Sequence, residues 1–199
     1  MFNSVNSYYK FHSKIYDITR WTILFGRRYI QKHLPIPTSN DLKILDLGCG
    51  TGKHLLTLKE RYPSAHIQGI DGSSDMLEKA QNKVLDVPNI RIQKISMSDF
   101  LPQKDQYDLI LCSYSLSMFG DDLSFIDDIS VSLKKEGKLI VLDFDSTPSS
   151  LFERWMNFNH VKIDGTLFRK LKSIFKTTSY ETRIVYFGLW KYSIFVGSR

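Results

Sequence analysis

Cysteine is scarce: Cys49 and Cys112 are the two present in 199 residues. Two are too few for a disulfide framework or a cysteine-based zinc site, and they suit a reducing compartment. Long apolar runs are missing too, and none approaches the roughly 18–20 residues that a membrane span needs. The chain opens on polar residues and aromatics rather than the basic stretch and apolar run of a secretory leader, so a cytoplasmic protein is expected. No low-complexity stretch or internal repeat is visible. An apolar fraction of 42% against 24% charged residues argues against intrinsic disorder. His33, His54 and His66 lack metal-ligand spacing, so no metal is expected.

Charge of both signs is present, but it is segregated. The length fits one domain over 1–199, and turn residues at Pro35–Pro37 and Ser146–Pro148 divide it into 1–36, 37–146 and 147–199. The first segment carries 6 basic and 1 acidic side chains, the second 12 and 17, the third 9 and 3. Of the 26 aromatic residues, 8, 7 and 11 fall in the same three segments. The net charge of +6 therefore combines an acidic centre with two basic, aromatic-rich flanks. A uniformly basic, nucleic-acid-seeking surface is the weaker picture, and no DNA partner is expected.

The centre alternates in type. Short apolar runs at Lys43–Leu47, His66–Ile70, Ile90–Ile95, Tyr107–Cys112 and Lys138–Phe144 predict strands buried on both faces of a parallel sheet. Helical patterns at Gly52–Tyr62, Ser73–Leu85 and Asp121–Leu133 separate them, with Ser73 or Ser74 able to cap the second. The tail predicts helices over Leu151–Phe158 and Thr166–Phe175. Strands over Tyr180–Phe187 and Trp190–Val196 follow, joined through Gly188–Leu189 as an antiparallel hairpin. An α/β, doubly wound seven-stranded sheet with a reversed edge follows.

The sharpest signal is Ile44-Leu45-Asp46-Leu47-Gly48-Cys49-Gly50-Thr51-Gly52, a strand entering a glycine turn and then a helix. Alternating glycines before a helix are costly unless a ligand approaches the main chain, although a bare tight turn is the plainer alternative. A dinucleotide fingerprint places its third glycine one residue later, where this chain has Lys53. An acid inside the loop would repel a pyrophosphate and suits a cationic ligand with an amino-acid head. Asp71 ends the next strand, where a carboxylate can accept from two ribose hydroxyls. Asp99, in Ser96-Met97-Ser98-Asp99-Phe100, is placed to accept from an adenine amino group or is simply an exposed loop acid.

This pattern resembles the class I S-adenosylmethionine-dependent methyltransferases over residues 37–146. The resemblance implies a Rossmann-like fold and S-adenosylmethionine as cofactor, with S-adenosylhomocysteine as product. It implies that Asp46, Gly48, Gly50 and Gly52 surround the methionine part and that Asp71 holds the ribose. Gly72 and Met76 would flank the adenine, Ser98 and Asp99 would lie at its edge, and Ser113 would open the substrate side. Residues 1–36 would then be a helical cap, 37–146 the cofactor-binding core, and 147–199 the substrate-side helices and closing hairpin.

After the fourth strand stands Ser113-Tyr114-Ser115-Leu116, without the prolines of base-amine methyltransferases. An RNA-modifying enzyme or a non-catalytic binding protein stays open. The flank Tyr8–Arg28 is basic, aromatic and amphipathic, fitting either a helix packed on the sheet or one lying in an anionic membrane interface. Three stretches, Phe11–Arg28, Trp155–Gly165 and Gly188–Gly197, resemble the bacterial betaine-lipid N-methyltransferases. That resemblance implies an amine on a lipid headgroup as methyl acceptor and a protein peripheral to the inner membrane face, with quinones or other small molecules as competing acceptors. His160 is the candidate to take the amine proton or bind an anionic substrate group, or is a structural hydrogen-bonder. Tyr16 and His12 are candidates to close over the cofactor and substrate. Tyr114, Tyr186 and Trp190 are candidate substrate contacts, the last two as an aromatic wall for a methylated ammonium or as hairpin core.

Overall fold

The computed structural model describes residues 24–37, 39, 41–96, 99–119 and 122–199. A short helix α1 (Ile30–His33) leads into β1 (Lys43–Leu47), whose last four residues are all buried. Then follow α2 (Lys53–Arg61), β2 (His66–Asp71), α3 (Ser74–Val84), β3 (Ile90–Lys94) and β4 (Tyr107–Ser113). A 3-10 turn over Leu116–Phe119 precedes α4 (Phe125–Ser132) and the long β5 (Leu133–Ser146). The tail supplies α5 (Ser150–Phe158), α6 (Thr166–Ile174), β6 (Lys176–Val185) and β7 (Trp190–Ser198). One seven-stranded sheet results, ordered β3-β2-β1-β4-β5-β7-β6. Strands β1 to β5 run parallel and β7 runs antiparallel between β5 and β6.

Alternation along the strands divides the apolar side chains between two faces. Ile44, Ile140, Leu142 and Ile194 pack with Ile30 of α1, Leu55 of α2, Leu77 of α3 and Met156 of α5. Leu45, Leu139, Val141 and Phe195 face the other way, against Ile126 and Ile129 of α4 and Phe168 of α6. The expected doubly wound architecture is thus observed, with the reversed strand in its expected place.

Element ends differ where side chains compete with the backbone pattern. Helix α4 starts at Phe125, not Asp121, because the Asp122 carboxylate accepts the Ser124 N–H at 2.9 Å and holds that stretch in a turn; Asp121 itself lies outside the described residues. Strand β5 begins at Leu133, five residues before the predicted Lys138, because Leu133 is buried and pairs with Tyr107. A register shift between Tyr107 and Leu109 and a left-handed Glu136 (φ 66°) absorb the intervening residues. Strand β6 starts at Lys176, its polar opening residues forming a solvated sheet edge paired to Ser198–Val196.

Next to the hairpin turn, Trp190 is 1% exposed and packs on Phe144 (ring centroids 5.2 Å apart) and Tyr192 (6.2 Å). Truncating it leaves a cavity that backbone relaxation cannot fill. Trp190→Ala is expected to cost about 3–5 kcal/mol of stability, measured as a lower denaturant midpoint at unchanged m-value.

Candidate active site

The carboxyl ends of β1, β2 and β4 open onto one crevice. As β1 ends, the N–H groups of Gly48 and Cys49 both donate to the Ile70 carbonyl (2.9 and 3.0 Å), folding the loop across the end of β2. Gly48 (φ 76°), Gly50 (φ 54°) and Gly52 (φ 74°) all take left-handed backbone, which L side chains rarely adopt. At Gly48 a Cβ would stand 2.3 Å from Cβ of Ser115, so the loop can pass there only as glycine. Asp71 then locks the crevice: one carboxylate oxygen accepts the Gly50 N–H (2.9 Å) and the other the Ser73 N–H (2.8 Å). Each oxygen keeps lone-pair capacity for a further donor such as a ribose hydroxyl. Ser73 in turn caps α3, accepting the Met76 N–H at 3.4 Å.

Beneath the loop lies Asp46, fully buried, with no hydrogen-bond partner for either carboxylate oxygen among the described residues. Its pKa is pushed up to about 7, mainly by burial and then by the charge of Asp71, with Arg27 opposing. A buried carboxylate without donors is expensive unless a cation joins it. The α-ammonium of S-adenosylmethionine is such a cation, the open glycine backbone accommodates the rest of an amino-acid head, and Asp71 suits the ribose. These residues fit that cofactor.

The crevice's other wall comes from β4 and β5. Ser113 is buried with its Oγ 3.2 Å from Nε2 of His54, whose pKa falls to about 3 through burial and the charges of Arg27 and Lys53, leaving a neutral imidazole. Asp143 of β5, not singled out from sequence, accepts the N–H groups of Leu116 (2.9 Å), Ser117 (3.1 Å) and Phe144 (2.8 Å) and so fixes the 3-10 turn after β4. Tyr114 is buried in left-handed backbone (φ 54°), its ring 4.8 Å from that of Phe144 and its hydroxyl donating to the Phe25 carbonyl at 2.7 Å. Tyr114 thereby anchors the stretch before α1 over the crevice and carries the Arg27 guanidinium 5.9 Å from its ring centroid. Arg27 was also missed; its only sequence signal is its place in the basic flank.

The remaining candidates are dispersed. Gly72 is exposed and Met76 half-buried at the start of α3, beside the crevice. Asp99 is exposed and accepts from Ser96 Oγ at 2.6 Å. His12, Tyr16 and Ser98 lie outside the described residues. Tyr186 sits half-exposed at the hairpin tip, edge-on to Phe25 (5.6 Å), and Phe25 also meets Trp190 (6.0 Å). His160 is exposed just past α5 in left-handed backbone (φ 57°). Two residues on, the Lys162 N–H donates to the Ser117 carbonyl at 2.8 Å, which holds this stretch against the turn after β4.

Asp46 sets a clear expectation. Its carboxyl keeps a proton in the fold up to about pH 7, whereas the unperturbed value is 3.8. The folded state therefore binds more protons than the unfolded one between those values, and the ligand-free fold loses stability as pH rises through that window. Asp46→Asn is expected to raise the unfolding midpoint of the ligand-free protein at pH 8, to change it little near pH 4, and to weaken S-adenosylhomocysteine binding. Paired denaturation curves and calorimetric titration measure all three.

The sequence profile of a methyltransferase domain matches residues 38–187. A ubiquinone/menaquinone biosynthesis C-methyltransferase of Campylobacter jejuni is 27% identical over 149 residues, covering 72% of this chain and 62% of that protein. A demethylmenaquinone methyltransferase of Thermotoga maritima is 30% identical over 135 residues, covering 64% of this chain and 56% of that one. The chain thus spans about three fifths of the length of the curated relatives it matches. Among solved structures, geranyl diphosphate C-methyltransferase from Streptomyces coelicolor shares the fold with a TM-score of 0.73 at 14% identity, over 86% of this chain and 78% of that one. With its seven-stranded order, its left-handed glycine loop and a profile match over most of its length, the chain belongs to the class I S-adenosylmethionine-dependent methyltransferase domain family.

Proposed function

We propose that the chain transfers a methyl group from S-adenosylmethionine to an amine on a lipid headgroup, working from the cytoplasmic face of a membrane. The observation that carries the donor is the buried Asp46, whose carboxylate oxygens have no hydrogen-bond donor among the described residues, beneath three left-handed glycines. When bound, S-adenosylmethionine supplies a methyl group made electrophilic by its sulfonium. Asp46 would hold the ligand's ammonium and Asp71 its ribose, with Gly72, Met76 and Asp99 on the adenine side. Positioning of this kind lowers the barrier by several kcal/mol.

The aromatic rings on the acceptor side support an amine. Phe25 and Tyr186 meet edge to face above Trp190, and ring faces stabilise the ammonium that methylation creates. An amine attacks only when neutral, so a proton leaves before or during transfer, and His160 is the group assigned to receive it. A second reading is favoured by the relatives named for quinone biosynthesis: carbon methylation of a quinone ring. Both acceptors carry a long apolar tail.

The test offers a diacylglycerol-linked primary amine and a demethylated naphthoquinone separately in detergent micelles with methyl-labelled S-adenosylmethionine. Label on the amine nitrogen is expected; label on the quinone alone would establish the second reading. His160→Gln should lower kcat on the amine about 100-fold with little change in KM. An unaltered kcat removes His160 from the mechanism.

A further inference from the structure

Helix α5 has two apolar sides. Phe152 and Met156 pack toward the sheet, but Leu151, Trp155 and Phe158 point outward with exposures of 72%, 46% and 70%. At residues i, i+4 and i+7, these three fall within about 60° of the helix circumference. The hairpin tip extends this surface. Phe187 is fully exposed, and it and Tyr186 both adopt left-handed backbone (φ 56° and 47°), a conformation that bulky side chains rarely take. The tip thus accepts strain to display an aromatic ring to solvent.

The two features are tied into one surface. Thr147 Oγ1 donates to the Leu189 carbonyl at the tip (2.5 Å) and accepts the Ser149 N–H (3.1 Å), while Ser149 caps α5. Register pairing of Ser146 with Lys191 places this surface at the same end of the sheet as the glycine loop, the carboxyl end of the parallel strands, and Phe25 connects the tip to Tyr114 in the crevice wall.

Resting on the reading that the acceptor has a lipid tail, we propose that Leu151, Trp155 and Phe158 of α5, with Phe187 at the tip, form a ridge that docks on an anionic bilayer. Charge selects this occupant. Residues 147–199 carry 9 basic and 3 acidic side chains. Of the three acids, Asp164 pairs with Lys162 and Glu181 with Arg183 and His33, while Glu153 falls on the side of α5 opposite Leu151, Trp155 and Phe158. Arg154 on α5 and Lys191 at the base of the tip have no ion pair among the described residues, leaving cations beside the exposed rings. Aromatic rings flanked by basic residues are the composition that settles at a headgroup boundary. Docked this way, the crevice faces the membrane in which the tailed acceptor resides.

The test is co-sedimentation with vesicles of one part phosphatidylglycerol to two parts phosphatidylcholine. The wild-type chain should bind, and less so as salt rises. The triple variant Trp155→Ser, Phe158→Ser, Phe187→Ser should partition at least about tenfold more weakly, with S-adenosylhomocysteine binding and thermal midpoint retained. Arg154→Glu with Lys191→Glu should weaken binding to anionic vesicles while leaving the chain folded. Absence of wild-type binding at low salt overturns the proposal, as does equal binding by the triple variant. A wild-type dimer in light scattering that the triple variant turns monomeric also overturns it, giving the ridge to a second copy instead. Turnover of the lipid amine in micelles is scored separately, so loss of docking and loss of the proposed reaction are distinguishable.

Discussion

The crevice depends on one carboxylate. Asp71 accepts backbone N–H groups from two loops that the sheet order brings side by side, one following β1 and one following β2. Without it, the glycine turn and the start of α3 would each need another partner for a half-buried donor. With it, three parallel strand ends become a rigid rim, the position at which open α/β sheets bind ligands.

Two buried aspartates near that rim show how environment assigns different roles to one residue type. Asp143 is fully buried, yet three backbone N–H groups converge on it, and its pKa rises only to about 6. Its role is structural, setting the turn from which Ser115 and Leu116 project. Asp46 is equally buried, has no donor among the described residues, and is pushed up to about 7. Its uncompensated oxygens are explicable as half of an interaction whose other half is a ligand.

The segregated charge acquires a physical setting as well. The acidic centre houses the crevice, while the basic, aromatic tail packs part of its aromatics inward, as with Trp190, Phe168 and Phe195, and leaves Trp155, Phe158 and Phe187 outside. Phe25 from the other flank links the two sets, touching Tyr186 and Trp190 while its carbonyl receives the Tyr114 hydroxyl. Tyr114, Phe25, Trp190 and Tyr186 therefore form an aromatic layer continuous from the crevice wall to the exposed tip.

Strand positions, the glycine loop and the Asp71 position were legible in the sequence because they are local: apolar runs of four to eight residues, glycines at fixed spacing, an acid ending a strand. The Ser73 cap was legible for the same reason. Asp143 and Arg27 were not, since nothing in their neighbourhoods marks them. Asp143 matters through N–H groups 26 and 27 residues away, and Arg27 because the Tyr114 hydroxyl, 89 residues beyond Phe25 in sequence, anchors its segment. Tyr114 was legible only as a candidate substrate contact; its anchoring role was not, because it comes from left-handed backbone at the end of β4 that turns its ring inward against Phe144. Sequence alone determined the fold class, the glycine loop and the charge division, all of which depend on residue type and near neighbours. Tertiary structure decided which buried acid is satisfied, which aromatics are core and which form the ridge, because each of those depends on what the folded chain places opposite the side chain.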